Sequence, residues 1–287
     1  MRSKLFVPAS RPELFAKALS SAADAISFDL EDAVEESRKP AARAALQNLF
    51  KEDLSANQKL IVVRINAIET PHFLADLDAI VCAATQVINI PMVEDPATIR
   101  AAAEALEKFE SQRGLTRPIG ILVNIESPKG LRRAAELAGA HSRVVGLQIG
   151  FGDLFAPLGI ASCEPAALQA VRVAVRFAAG EAGVQAYDGA FVDVANPEAF
   201  KLDAQAAQRL GFAGKSCIHP SQIALANEVF RPSDAAIAHA VRVLEATSQK
   251  LAAGVGAFVV DGRLIDGPFI TEAEHTVALA KRLGLLA

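Results

Sequence analysis

Tryptophan is absent from this 287-residue chain and tyrosine occurs once, so the aromatic platforms on which bases stack are missing. Basic charge is also in deficit: 29 Lys and Arg face 33 Asp and Glu, a formal net charge of -4. No basic stripe stands out, and nucleic acid is not an expected partner. Apolar runs are broken by charge within about ten residues, against the ~20 that a bilayer-crossing helix needs, so no membrane span is expected. The opening residues, Met1-Arg2-Ser3-Lys4-Leu5-Phe6-Val7-Pro8, read as a strand and lack the apolar stretch and cleavage site of a signal peptide; the cytoplasm is the expected compartment. Cys82, Cys163 and Cys217 lie far apart without metal-ligand spacing and are expected to be reduced thiols in apolar surroundings. Phosphate-binding glycine loops of the GxGxxG or GxxxxGK[ST] kind do not occur.

Apolar side chains, at 52%, are plentiful enough for a large core. Short segments rich in Val, Ile and Phe alternate with longer helical patterns, the rhythm of repeated βα units. Eight strands are expected, at residues 4–8, 25–30, 60–66, 86–91, 119–125, 144–151, 190–194 and 216–219. Most are continuously apolar, as strands covered on both faces must be. Four helix starts place a capping side chain before proline: Thr70-Pro71, Asp95-Pro96, Ser127-Pro128 and Asn196-Pro197. Ser10 with Glu13 reads as a capping box. Eight such units close most simply into a (β/α)8 TIM barrel over residues 1–230, read as the catalytic domain. Residues 231–287 are left for a C-terminal helical and lid extension: a helix at 233–251, an extended glycine-rich pair at 254–267 and a last helix at 271–283.

In such a barrel the chemistry sits where strands run out into the following loops. Five strand ends carry polar groups: Asp29-Leu30-Glu31-Asp32, Arg64 with Asn66, Asn124-Ile125-Glu126, Gly150-Phe151-Gly152-Asp153, and Asp193. Ionised carboxylates on apolar strands are costly unless paired or bound to metal, and Arg64 alone cannot neutralise so many. Oxygen-only ligation suits Mg2+, so Glu126 and Asp153 are the expected metal ligands, with capping of the following helices as the alternative for each. Asp29, Glu31 and Asp32 are expected behind them, or else as a solvated helix entry pairing with Arg38, Lys39 or Arg43. Arg64 has the planar fork that grips a carboxylate. His219 reads as a histidine bonded to backbone rather than a base. Lys215 raises the possibility of an imine, but its place near the start of strand eight points it away from the mouth.

These segments resemble, in order and spacing, the citrate lyase beta subunit-like proteins within the wider HpcH/HpaI aldolase group. The residues that carry the resemblance are Arg2 to Pro8, Asp29-Leu30-Glu31-Asp32-Ala33-Val34, Val63-Arg64-Ile65-Asn66, Ile125-Glu126-Ser127-Pro128-Lys129-Gly130, Gly150 to Leu154, and Gly214-Lys215 with Pro220-Ser221-Gln222. The resemblance implies a TIM barrel, trimeric or hexameric assembly, Mg2+ (with Mn2+ as a substitute), and cleavage or formation of the carbon–carbon bond in 3-hydroxyacyl-CoA thioesters such as malyl-, citramalyl- or citryl-CoA. It implies that Glu126 and Asp153 hold the metal, that Arg64 grips the oxo acid, and that Asp29, Glu31 and Asp32 stand behind. Phe6, Asn124 and Gly152 complete the expected substrate-binding set. Asp266, in Val260 to Pro268, takes the place of a lid aspartate that acts on a neighbouring subunit's site. Coenzyme A, being anionic, calls for a basic rim, expected from Arg11, Lys17, Arg38 and Lys39, with Arg2 and Lys4 as further choices. The chain departs from the pattern at Met92, where lysine is common, at Ala9, where glycine is usual, and at Gly152, where glutamate is common. The rivals to a thioester lyase are a metal-dependent aldolase of free 2-keto acids, a thioesterase on the same site, and a non-catalytic subunit of a larger lyase complex.

Overall fold

The computed structural model describes residues 1–52, 54, 57–252 and 256–286. The chain divides into two compact units, Met1–Phe230 and Arg231–Ala287. In the first unit eight parallel strands pair in chain order and β1 closes on β8: β1 (Ser3–Pro8), β2 (Ala25–Asp29), β3 (Leu60–Arg64), β4 (Val87–Ile90), β5 (Gly120–Ile125), β6 (Val144–Ile149), β7 (Gln185–Asp188) and β8 (Gly214–Cys217). The helices between them are α1 (Phe15–Leu19), α2 (Lys39–Leu49), α3 (Phe73–Ile80), α4 (Pro96–Gln112), α5 (Pro128–Arg132), α6 (Ala134–Ala138), α7 (Phe151–Phe155), α8 (Pro165–Glu181), α9 (Pro197–Arg209) and α10 (Ser221–Val229). This is the expected (β/α)8 barrel. The second unit holds α11 (Asp234–Ala252), a hairpin of β9 (Phe258–Val260) and β10 (Arg263–Ile265), and α12 (Gly267–Arg282). Of the glycine-rich stretch expected at 254–267, residues 254–255 lie outside the described residues.

Strand alternation builds two cores from one sheet. Outward residues such as Ile26, Phe28, Val63, Ile88, Val123 and Leu147 pack beneath the helices. Inward, Ala25, Val62, Val87 and Leu122 fill the lower lumen, with Met1, Leu60 and Tyr187 against them. The next inward residues toward the strand ends are polar, so the apolar filling stops below the mouth. The second unit has a small core of its own around Ala240, Val243, Phe258 and Ile265.

Three of the four expected proline caps form: Asp95, Ser127 and Asn196 accept from the backbone N–H of Ala97, Gly130 and Ala199. Thr70 does not cap; its hydroxyl donates to the Ala67 carbonyl 2.7 Å away and α3 begins at Phe73. Ser10 forms no capping box either, because Glu13 is taken by Arg11 at 2.9 Å.

Strand seven differs most. The apolar run at 190–194 is loop, with Val192 exposed, and β7 is the more polar Gln185–Asp188. Asp188 is fully buried because Arg172 from α8 and Lys215 from β8 donate to it, at 2.9 and 2.5 Å, while Asp203 from α9 takes a second bond from each. The network lies on the outward side of the strands, so Lys215 is locked in ion pairs away from the lumen. Asp193 falls in the following loop. Cys163 is exposed rather than packed, while Cys217 is buried.

Candidate active site

At the carboxyl ends of the strands a cavity of about 470 Å³ is lined by Phe6, Asp29, Asp32, Arg64, Asn124, Glu126, Gly152 and Asp153, with Gln148 and Ser216 in its lining. Larger grooves, of about 840 Å³ in the second unit and about 810 Å³ beside α8 and α9, do not collect side chains from the lumen, so size does not select the site. The strand register explains the convergence. Asp29 ends β2 opposite Arg64 on β3, and Arg64 lies opposite Asn89 on β4.

Arg64 is already well occupied. Its Nε and Nη2 donate to the two oxygens of buried Asp29, at 2.9 and 2.5 Å, in a bidentate fork. Its Nη1 lies 2.8 Å from Glu31 Oε2 and 3.4 Å from Asp32 Oδ2. Asp29 also accepts from the backbone N–H of Glu31 and Ala33, which folds the acidic loop back over its own strand. Burial pushes the Glu31 carboxyl up to about 8: Arg64 opposes, but the charges of Asp32, Glu126 and Asp29 reinforce it.

Glu126 is buried and does not cap α5, since Ser127 does. Its Oε1 accepts from the backbone N–H of Met92 at 2.6 Å and its Oε2 from Asn124 Nδ2 at 3.1 Å. Burial raises its pKa to about 7; the Met92 amide works against this and the charge of Asp153 adds to it. Met92 turns its amide inward by adopting a left-handed backbone, φ 51°, unusual for a residue with a side chain. That side chain is exposed, so this position contributes backbone to the site. Gly150 is required by space: a Cβ there would stand 2.6 Å from the Glu126 Cβ and closer still to its carboxylate. Asp153, in the first turn of α7, neither caps that helix nor makes a hydrogen bond or ion pair among the described residues. A Cβ added at Gly152 would meet open space.

The residues present fit a divalent cation. Two carboxylates, one buried with a raised pKa and one unpartnered, face one cavity, and Gln148 Oε1 in its lining is a buried acceptor without a partner among the described residues. No group of three or more His, Cys, Asp or Glu side chains arranged for a metal occurs among the described residues. Two carboxylates completed by water and substrate oxygens are what Mg2+ accepts.

Other expected site residues are placed differently. Lys39 is not on a rim: it is buried, and its Nζ donates to the Leu30 and Glu31 carbonyls and to Asn66 Oδ1, anchoring the acidic loop. Lys4 is buried in the lumen, and Arg2 pairs with Asp24 at the opposite end of the strands. Arg11, Lys17 and Arg38 are exposed; Arg38 Nη2 donates to the Ser10 carbonyl, tying the first two βα loops together. His219 is exposed, and its Nδ1 accepts from the Ser221 backbone N–H at 3.2 Å. Asp266 belongs to the second unit, at the start of α12, where its Oδ1 is buried without a hydrogen bond among the described residues. Asn89 and Gln148 were not singled out by the sequence pattern. Each is a polar residue next to last in its strand, the one signal that marks them.

Fold and site define a (β/α)8-barrel protein with an arginine and several carboxylates gathered at the carboxyl ends of its strands. Residues 2–220 match the family model described as HpcH/HpaI aldolase/citrate lyase, and the chain belongs to that family. It is 34% identical to the L-malyl-CoA/beta-methylmalyl-CoA lyase of Rhodobacter capsulatus, over 98% of this chain and 94% of that protein. It is 32% identical to citrate lyase subunit beta of Escherichia coli strain K12, over 99% and 94% respectively. Among solved structures, protein CitE of Mycobacterium tuberculosis in complex with magnesium, acetoacetate and coenzyme A superposes with a TM-score of 0.77 and 34% identity, covering 98% of this chain and 100% of that one. No helix among the described residues is long and apolar enough to cross a membrane.

Proposed function

We propose that this protein is a Mg2+-dependent carbon–carbon lyase that cleaves, or forms, a 3-hydroxyacyl-CoA thioester such as malyl-, citramalyl- or citryl-CoA, with a 2-oxo acid and an acyl-CoA on the other side. The observation that carries this reading is the convergence of Glu126 and unpartnered Asp153 beside Arg64 in one cavity. The two carboxylates would hold the ion, with Mn2+ as a substitute. When bound, it supplies a Lewis acid that offsets negative charge on the oxo-acid oxygens.

The chain's own residues do the rest. Asp29 fixes the plane of Arg64, so that its Nη1 edge, now shared by Glu31 and Asp32, is the one a substrate carboxylate takes over. Glu31, with a pKa near 8, is able to take or give a proton close to neutrality. Phe6 packs its ring 5.2 Å from the Arg64 guanidinium and walls the cavity on one side. Gly152 leaves room for the acyl group, and Asn124 holds Glu126 from below. Arg11, Lys17 and Arg38 are the exposed cations for the phosphates of coenzyme A. Asp266 is the acid from the lid that protonates the departing thioester enolate, on a neighbouring subunit of a homotrimer or hexamer. The cytoplasm is the compartment assigned to it on this reading.

Incubating the protein with Mg2+ and malyl-, citramalyl- and citryl-CoA, while following release of keto acid and of free thiol, tests the proposal. Keto acid without thiol is the expected result. Thiol release alone would show a thioesterase, and neither product nor binding would remove the lyase reading.

A further inference from the structure

Beneath the carboxylates the lumen holds a row of side chains with a direction. Lys4 is 2% exposed and projects inward from β1, its Nζ 4.3 Å from the Phe6 ring centroid. Its hydrogen bond goes to Asn89 Oδ1, 3.4 Å away. Asn89 Nδ2 donates to Asn124 Oδ1 at 2.8 Å, and Asn124 Nδ2 donates to Glu126 Oε2 at 3.1 Å. An unbroken line of donors therefore runs from an amine on β1 to the candidate metal ligand after β5.

Chemistry fixes the orientation of each link. An ionised carboxylate only accepts, so Asn124 must turn its NH2 to Glu126 and its carbonyl oxygen the other way. That oxygen accepts from Asn89 and from Gln148 Nε2 at 3.0 Å. Asn89 Nδ2 also donates to the Leu122 backbone carbonyl at 3.1 Å, a second group that only accepts. Asn89 Oδ1 is thereby left needing a donor from the lumen, and Lys4 is the side chain that supplies it. With an apolar residue at position 4 that oxygen would be buried without a partner, and rotating Asn89 to rescue it would break both of its donations.

A buried amine with one long hydrogen bond is an expensive way to fill a barrel. Burial and the charge of Arg64 hold its pKa well below the usual lysine value, against Asp29, Glu126 and Cys217. Charged or neutral, the amine keeps hydrogens to donate, so the direction of the chain stands.

We propose that Lys4 is a positioning residue: through Asn89 and Asn124 it holds the Glu126 carboxylate in place and so sets the affinity of the Glu126–Asp153 pair for a divalent cation. This rests on the reading of that pair as a metal site. Mn2+ titrated into the full chain, followed by the resonance of the free ion, measures the affinity, with thermal melts of the metal-free proteins beside it. Lys4→Met is expected to bind about tenfold more weakly, as happens when a group behind a metal ligand is lost. Its melting temperature should change little, because the gain from replacing a buried amine with an apolar side chain of similar volume is offset by the unpaired Asn89 oxygen it leaves. Lys4→Gln, which keeps a donor, should bind more tightly than Lys4→Met, and Asn89→Leu, which cuts the line one link on, should weaken binding as Lys4→Met does. Unchanged Mn2+ affinity in folded Lys4→Met, or in Asn89→Leu, would overturn the proposal. A wild-type chain that binds no Mn2+ would instead remove the metal site on which it rests.

Discussion

Arg64 meets three carboxylates with one guanidinium, and with Glu126 and Asp153 close by, the mouth of the barrel stays acidic. Glu31 registers the imbalance most clearly, with its pKa raised from about 4.5 to about 8. An acid raised in this way keeps its proton in the folded protein where the unfolded chain has lost it. Folding therefore takes up protons across that window, and stability is lost as the pH rises through it. Thermal melts of the metal-free protein across this range should show a falling melting temperature, and Glu31→Gln should flatten the fall. An equal slope in the variant would mean that Glu31 is ionised throughout. Asp29, Glu31, Arg64 and Glu126 were legible in the sequence because a charged residue at the end of an apolar strand has few harmless explanations. The lysines were not. Lys39 and Lys4 read like surface cations, and only their distant partners, Asn66 and the Leu30 carbonyl for one and Asn89 for the other, show that both are buried.

Elements were legible where local chemistry decides them. Apolar β2, β4 and β5, and the Asp95, Ser127 and Asn196 caps, form as read. β7 was missed because what lets polar Gln185–Asp188 be a strand with a buried Asp188 is charge compensation of that carboxylate by Arg172 of α8 and Lys215 of β8, both remote in sequence. The apolar residues at 190–194 that imitated it are loop beside the cavity. Asp188→Ala leaves Arg172 and Lys215 buried with reduced pairing, and losing one partner of a buried pair costs about 3–5 kcal/mol. Chemical denaturation should register that loss while Mn2+ affinity, set by groups on the inward side of the strands, changes little. A near-neutral effect would mean that β7 is held by its backbone ladder alone.

For the molecule as a whole, the closed barrel followed from counting βα units, and the C-terminal hairpin and helix from their turn residues and period. What the pattern could not supply is the partner of Asp266: on the proposed reading it works in another subunit, which would leave no local trace. If it does so, mixing an Asp266→Asn variant with a Glu126→Gln variant, each nearly inactive alone, should restore part of the turnover once subunits exchange. No recovery would place the lid over its own barrel or outside the chemistry. The most direct test of the site is a crystal of the protein soaked in Mn2+ and measured at the manganese absorption edge. An anomalous peak between the carboxylates of Glu126 and Asp153 is the expected result; a mouth without a peak, with both side chains turned from the cavity, would contradict it.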